Sequence, residues 1–358
     1  MHVASSAYSY ALVLYGADGA EAGRVPVTVD WEAAEEWTRF RALRRGLLGP
    51  TELRAARILP LWSREPGEPY IRGFRADLSR SGSAEVFQDF PTAYFKELAV
   101  RASSEMVERG RLEKGETFRY RAVAFPRNQE PEEPRSGFVA EEVIPPIPLR
   151  TTALEAFGSA AVAVGEPHPD DMPAFVPHRV LEEATDLARA AGDKETGGVL
   201  IGHLHRDPSV PEIFIEITAQ VPARQAQGEL TRLTFTAESW TAVQAALDLR
   251  RRDEVMLGWW HSHPARAWCQ KCPVEKQRVC PLAADFFSEH DRQLHRTVFP
   301  RAYSVALVVN DSVNGLSYSL FGWREGVVAS RGFSCTGEPR ASERLPAELL
   351  TRGDRGGN

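Results

Sequence analysis

The sequence predicts an α+β protein of two domains. Three observations carry that expectation. The chain has 358 residues, too many for one small domain. Its 43 % hydrophobic and 26 % charged content is an ordinary globular balance. A stretch rich in proline and glutamate divides it: Pro126, Pro131, Pro134, Pro145, Pro146 and Pro148 surround Glu130, Glu132 and Glu133. Such composition favours an extended, solvated connector. The expected boundaries are an N-terminal domain over 1–125, a linker over 126–150, a second domain over 151–335 and a disordered polar tail over 336–358.

The N-terminal domain reads as α+β. Ala7 to Tyr15 and Arg24 to Val29 look like strands around a turn at Gly16 to Gly19. Trp31 to Arg45 reads as a helix, and Tyr70 to Leu78 as a strand. Phe95, Leu98, Ala102 and Met106 give Pro91 to Arg109 helical spacing. Thr117 to Phe125 closes the domain as a strand. It carries no catalytic motif and no cysteine, which excludes a thioester-forming ubiquitin-conjugating enzyme.

In the second domain, Pro177 opens a helix with Leu181, Ala184, Leu187 and Ala191 on one face, and Gly192 ends it. Strands are expected at Gly198 to Leu204, Glu212 to Ala219 and Arg232 to Phe235. Thr236 is placed to cap a helix reaching Arg251. Glu254 to Trp260 reads as a strand that runs into His261, and Phe286 to His295 as a helix. Further strands follow at Ser304 to Asn310, Leu316 to Trp323 and up to Phe333.

A net charge of −6 argues against nucleic acid as a partner. The apolar runs are strand-sized, so no membrane span is expected. The N-terminus lacks a basic region followed by an apolar run, which points to the reducing cytoplasm. The four cysteines, all beyond residue 260, then read as thiols or metal ligands rather than disulfides.

The chemistry lies in Gly258-Trp259-Trp260-His261-Ser262-His263-Pro264. Strand side chains alternate, so His261 and His263 point the same way and can share a metal. Ser288 and Asp291, three apart on an expected helix, share a face. Two histidines and a carboxylate are three protein ligands, the pattern of a catalytic zinc that keeps a place for water. Glu195, in Glu195-Thr196-Gly197-Gly198, is the candidate general base. Ser288 is placed either to donate to an oxyanion or to cap its helix.

An upstream Glu before Gly-Gly, then His-Ser-His-Pro, then Ser-x-x-Asp resembles the JAMM (MPN+, JAB1/MPN/Mov34) metalloprotease family. The closest form is the prokaryotic type, here with an extra N-terminal domain. The resemblance covers about Val176 to Gly326. It implies a mixed β-sheet flanked by helices, similar to the cytidine-deaminase fold. It also implies one catalytic Zn²⁺ on His261, His263 and Asp291, with Glu195 as base and Ser288 at the oxyanion. The implied activity is cleavage of an isopeptide or peptide bond at the C-terminus of a ubiquitin-like protein, by deconjugation or precursor processing. The implied partners are that protein, its conjugates and its activating and conjugating machinery.

The chain departs from the family in the interval between His263 and Ser288. An insertion over 265–284 carries Cys269, Cys272 and Cys280, spaced as a second, structural metal site one ligand short. His290, His295 and Cys335 are candidate fourth ligands; the alternative is that the cysteines are small buried hydrophobes. His203 and His205 read as ordinary core or surface residues, and Trp259 and Trp260 as core and groove lining. Two rival functions remain. A zinc deaminase would need His-x-Glu and Pro-Cys-x-x-Cys, and neither is present. A catalytically inactive metal-bearing scaffold is disfavoured by the five motif residues being intact.

Overall fold

The computed structural model describes residues 5–52, 54–65, 68–79, 85–127, 146–158, 161–223, 227–229, 232–278, 280 and 285–338. Most of the expected linker and the expected tail beyond Glu338 lie outside the described residues. The chain divides into two compact units, one of Met1–Pro146 with Glu325–Val327, the other of Ile147–Arg324 with Val328–Asn358. Both mix helix and strand, as an α+β chain should. Among the described residues, no helix is long and apolar enough to cross a membrane.

The first unit contains strands β1 (Ser5–Ser6), β2 (Tyr8–Tyr15), β3 (Glu21–Val27), β4 (Arg57–Trp62), β5 (Tyr70–Asp77), β6 (Phe87–Pro91) and β7 (Arg119–Pro126), with helices α1 (Glu32–Arg44) and α2 (Lys96–Glu108). The sheet order is β1-β4-β5-β7-β2-β3, with β6 paired to β5. Its core is aromatic. Trp31 meets Phe74 edge-on at 4.7 Å between ring centroids, and Phe74 stacks on Phe90 at 4.9 Å. The helix expected from Pro91 starts only at Lys96, because Phe87–Pro91 pairs with β5 and a 3₁₀ turn, Thr92–Phe95, intervenes.

The second unit begins with β8 (Leu149–Thr151), α3 (Glu155–Gly158), β9 (Val162–Val164), β10 (Ala174–Pro177) and α4 (His178–Ala191). The long strands β11 (Gly197–Arg206) and β12 (Ile213–Pro222) follow, then the small hairpin β13 (Gln227–Glu229) and β14 (Arg232–Thr234), and α5 (Ala237–Arg250). Strand β15 (Val255–His263) leads to α6 (Ala265–Trp268), α7 (Val274–Arg278) and α8 (Glu289–Val298). The unit closes with β16 (Val305–Ser312), β17 (Gly315–Arg324), β18 (Val327–Arg331) and β19 (Phe333–Thr336). The main sheet is mixed, in the order β18-β17-β16-β15-β11-β12-β10-β19-β9, with β8 added beside β11. One face buries Val199, Ile201, Trp259, Val308 and Phe321 with Val243 of α5 and Phe299. Helix α5 starts as expected, with the Thr236 side chain accepting from the Ser239 N–H.

The corner between α5 and β15 is held by charge. Two residues with left-handed backbone, Arg251 and Asp253, turn the chain. Glu254, buried at the turn, receives Arg250 through Nε at 2.5 Å and Nη2 at 2.8 Å, and Thr218 Oγ1 also donates to it. Hydrogen bonding from Arg250 outweighs burial and brings the Glu254 pKa from 4.5 to about 2. A carboxylate whose pKa is lowered by folding adds stability above its unfolded value and loses it on acidification. Glu254→Gln should therefore cost about 2 kcal/mol at neutral pH. The gap in melting temperature between variant and wild type should close as pH falls from about 4.5 towards 2. A gap independent of pH across that window would show that the carboxylate charge is not what stabilises the corner.

Candidate metal centre

The pairing of β11 with β15 builds the centre. The strands are antiparallel, with Gly197 opposite His261 and Val199 opposite Trp259. Continued two residues outward, that register brings Glu195 to the level of His263, on the same face. The pairing does extend that far, through Ser262. Its N–H donates to Thr196 O at 2.9 Å, and its Oγ accepts from the Thr196 N–H at 3.1 Å. Ser262, between the two histidines, thus ties down the segment that carries Glu195. The sequence reading missed this role; the polar residue between the histidines on an otherwise apolar strand was the available signal.

Alternation along β15 divides its labour. Trp260 faces the other way, donating through Nε1 to Gln220 Oε1 at 3.1 Å. Trp259 and His261 lie on the centre's side, with their rings stacked at 4.6 Å and 14°. His263 stacks on Phe286 at 4.3 Å. Gly258, with φ at +152°, lets β16 approach: a Cβ there would sit 1.7 Å from Val305 O. Gly198 is equally constrained, since its Cβ would fall 2.4 Å from Val221 O.

His261 Nε2 and His263 Nε2 face each other at 3.0 Å, and Asp291 Oδ1 lies 3.5 Å from His261 Nε2. His261 and His263 are fully buried and Asp291 nearly so. Burial, helped by His261, pushes the His263 pKa down to about 3, so its ring is neutral and offers a lone pair. Burial would raise the Asp291 pKa, but His261 and the hydrogen bonds from Ser288 overcome it and keep the carboxyl ionised. Two neutral-capable imidazoles and a carboxylate converging in a buried spot fit a zinc ion by the chemistry of the donor set. They would otherwise be an unfavourable meeting of lone pairs.

Asp291 is aimed by a capping box. Ser288 is the N-cap of α8; its Oγ accepts from the Asp291 N–H at 3.1 Å, and Asp291 Oδ2 accepts from the Ser288 N–H at 2.8 Å. The helix therefore starts at Glu289, three residues later than expected at Phe286. Ser288 takes the capping position anticipated for it. Glu195 is buried, and its pKa is pushed up to about 7 by burial; His261 lowers it and Asp291 raises it further. It sits within electrostatic reach of His261 and Asp291 without being one of the converging donors.

The segment expected to be an insertion runs through α6 and α7. Cys269 is buried, Cys280 is half-buried with its Sγ 3.5 Å from Cys269 Sγ, and Cys272 is exposed. The first two thiols therefore meet, and the third points to solvent. Residues 279 and 281–284 of the insertion lie outside the described residues. Of the possible fourth ligands, Cys335 is on β19, four places from β15 in the sheet. His295 Nδ1 accepts from Trp259 Nε1 at 3.1 Å.

The family model described as JAB1/Mov34/MPN/PAD-1 ubiquitin protease matches residues 174–280. That span holds Glu195, His261 and His263 and stops short of Ser288 and Asp291. A solution structure of a protein from Desulfitobacterium hafniense is similar at 20 % identity over 46 % of this chain and 94 % of that chain, with a TM-score of 0.32. No curated protein matches the chain.

The donor set makes a binding prediction that does not depend on activity. Metal-free protein titrated with zinc should take up the ion at this cluster, and His263→Ala should weaken that uptake by at least about a hundredfold. Unchanged zinc affinity in a folded His263→Ala protein would remove His263 from the ligand set.

Proposed function

Taking as premise that residues 174–280 carry a JAB1/Mov34/MPN/PAD-1 domain, we propose that this chain is a zinc-dependent peptidase or isopeptidase. Its proposed substrate is the C-terminus of a ubiquitin-like protein, either joined to a target or followed by an extension. The observation that carries the reading is the convergence of His261, His263 and Asp291 beside buried Glu195. Asp291 joins the set although it lies beyond the matched span and beyond the insertion.

His261, His263 and Asp291 hold the ion. When bound, zinc supplies Lewis-acid chemistry, polarising a scissile carbonyl and making a nearby water more acidic. Glu195 takes the proton of the attacking water and returns it to the leaving amine, a role worth roughly 10²–10⁴ in rate. The Ser288 hydroxyl, whose lone pair meets the Asp291 N–H, donates a hydrogen bond to the carbonyl oxygen as charge develops there. Thr196 and Ser262 keep Glu195 in place.

A cleft of about 610 Å³ opens beside His263, lined by Arg189, Asp193, Pro264, Arg266, Gln270 and Asp311. Its mixed charge and its position between α4 and α6 suit an extended peptide segment. The insertion, with its cysteines, forms part of this wall through Gln270 and Gln277. A structural metal on Cys269, Cys272 and Cys280 belongs to this proposal as a means of stiffening the wall. It requires Cys272 to turn inward.

Glu195→Gln should retain zinc and lose turnover of a ubiquitin-like fusion by about 10²–10⁴-fold. Chelation should abolish cleavage, and full activity in metal-free protein would refute the mechanism. Ser262→Ala removes only the acceptor for the Thr196 N–H. It should lower kcat by about tenfold to a hundredfold with zinc content unchanged. A wild-type kcat in that variant would show that Glu195 is positioned by something else.

A further inference from the structure

Strand β11 carries a second group of metal-type donors at its opposite end. His203 and His205, two apart on the strand, present their rings on one face, and His203 is directly paired with Glu216 of β12. Both histidines are buried, and the Glu216 side chain is 31 % exposed. Six residues separate His203 from Gly197, the residue opposite His261, so this group lies about 20 Å along the strand from the first.

The hydrogen bonds orient the two rings towards one point. His203 Nε2 lies 2.9 Å from Arg252 O, and a carbonyl can only accept, so that nitrogen carries the proton. Arg150 donates to the same carbonyl. His203 Nδ1 is then a bare lone pair in the neutral ring, aimed at Glu216 Oε2 at 3.4 Å. His205 Nδ1 is engaged by Thr152 Oγ1 at 3.0 Å, and its Nε2 points at the same Glu216 Oε2 at 3.1 Å. The ring of His205 is fixed by stacking on Phe214 at 4.9 Å and 11°. Hydrogen bonding from His205, against burial, holds the Glu216 carboxyl below its ordinary range, so it is ionised. In each ring one nitrogen is anchored to a protein oxygen and the other faces the shared point. That is how histidines are set when they ligate a metal, the far nitrogen fixing tautomer and orientation.

We propose that His203, His205 and Glu216 form a second metal site, selective for zinc or a cation of similar softness, separate from the His261 centre. Two imidazole nitrogens and one carboxylate oxygen within 4.8 Å of one another are a zinc-type donor set. A cation resolves the facing lone pairs of His203 Nδ1 and Glu216 Oε2. The aromatic wall of Phe157 and Phe214 shields one side, and half-exposed Glu216 leaves a way in. The ion would link β11 and β12, and through the anchored nitrogens also Thr152 and the turn at Arg252 that feeds β15. Its role is structural: it fastens the far end of the sheet whose near end carries the His261 centre.

The test is the zinc content of full-length protein after dialysis against zinc and removal of free ion, measured by mass spectrometry of the metal. Glu216→Gln and His205→Gln should each lower the content by one equivalent per chain. The loss should add to the separate loss caused by His263→Ala. Glu216→Gln changes only a half-exposed group, which guards against misfolding. Crystals of the wild type soaked in zinc should show an anomalous peak within bonding distance of His203 Nδ1 and His205 Nε2. Equal zinc content in wild type and folded Glu216→Gln, or a soaked crystal with no peak there, would overturn the proposal. The cluster would then be a hydrogen-bonded network sharing a proton.

Discussion

One backbone pairing governs the centre: Gly197 of β11 opposite His261 of β15. Because side chains alternate, a slip of one residue would turn Trp259, His261 and His263 to the other face and move Glu195 away from them. The register is protected on both sides. Trp260 reaches Gln220 on β12, and Ser262 binds Thr196 in both directions. The glycines at 198 and 258 let neighbouring backbones approach where any Cβ would collide. The arrangement of these residues is therefore a consequence of strand packing, and its precision is inherited from the sheet.

The polar groups of the centre are held in ways that suit their charges. Asp291 is ionised although buried, which costs little because Ser288 donates to one oxygen and His261 faces the other. His261 and His263 are instead positioned by ring stacking on Trp259 and Phe286. Among the described residues their Nδ1 atoms have no hydrogen-bond partner. The contrast with His203 and His205, whose far nitrogens are anchored to oxygens, is physical. One pair is aimed by aromatic walls, the other by hydrogen bonds.

The long segment between His263 and Ser288 lengthens the path between the converging donors without separating them. Helix α6 begins at once after Pro264, and the chain returns to begin α8 at the Ser288 cap. Loop closure costs grow slowly with length, so a longer excursion is tolerated if both ends are fixed. Here the capping box fixes the returning end and, in the same contact, orients the Asp291 carboxylate. That is why Asp291 meets His261 although the family match ends at residue 280.

The sequence by itself determined the α+β class, the strand running into His261, and the face shared by His261 and His263, because period-two alternation is local. It also marked Thr236 and Ser288 as caps, since a cap depends on residues three apart. Tertiary structure alone decided the rest. Strands β4 and β6 were not legible, since pairing with β5 makes them strands; the same pairing delays the helix expected at Pro91. Ser262 could not be assigned to Thr196, nor His203 and His205 to Glu216, because those contacts cross between strands far apart in sequence. The cysteine spacing suggested a common point, yet side-chain direction after α6 brings Cys269 to Cys280 and sends Cys272 to solvent. Spacing along a chain states which groups can meet. Register and packing decide which of them do.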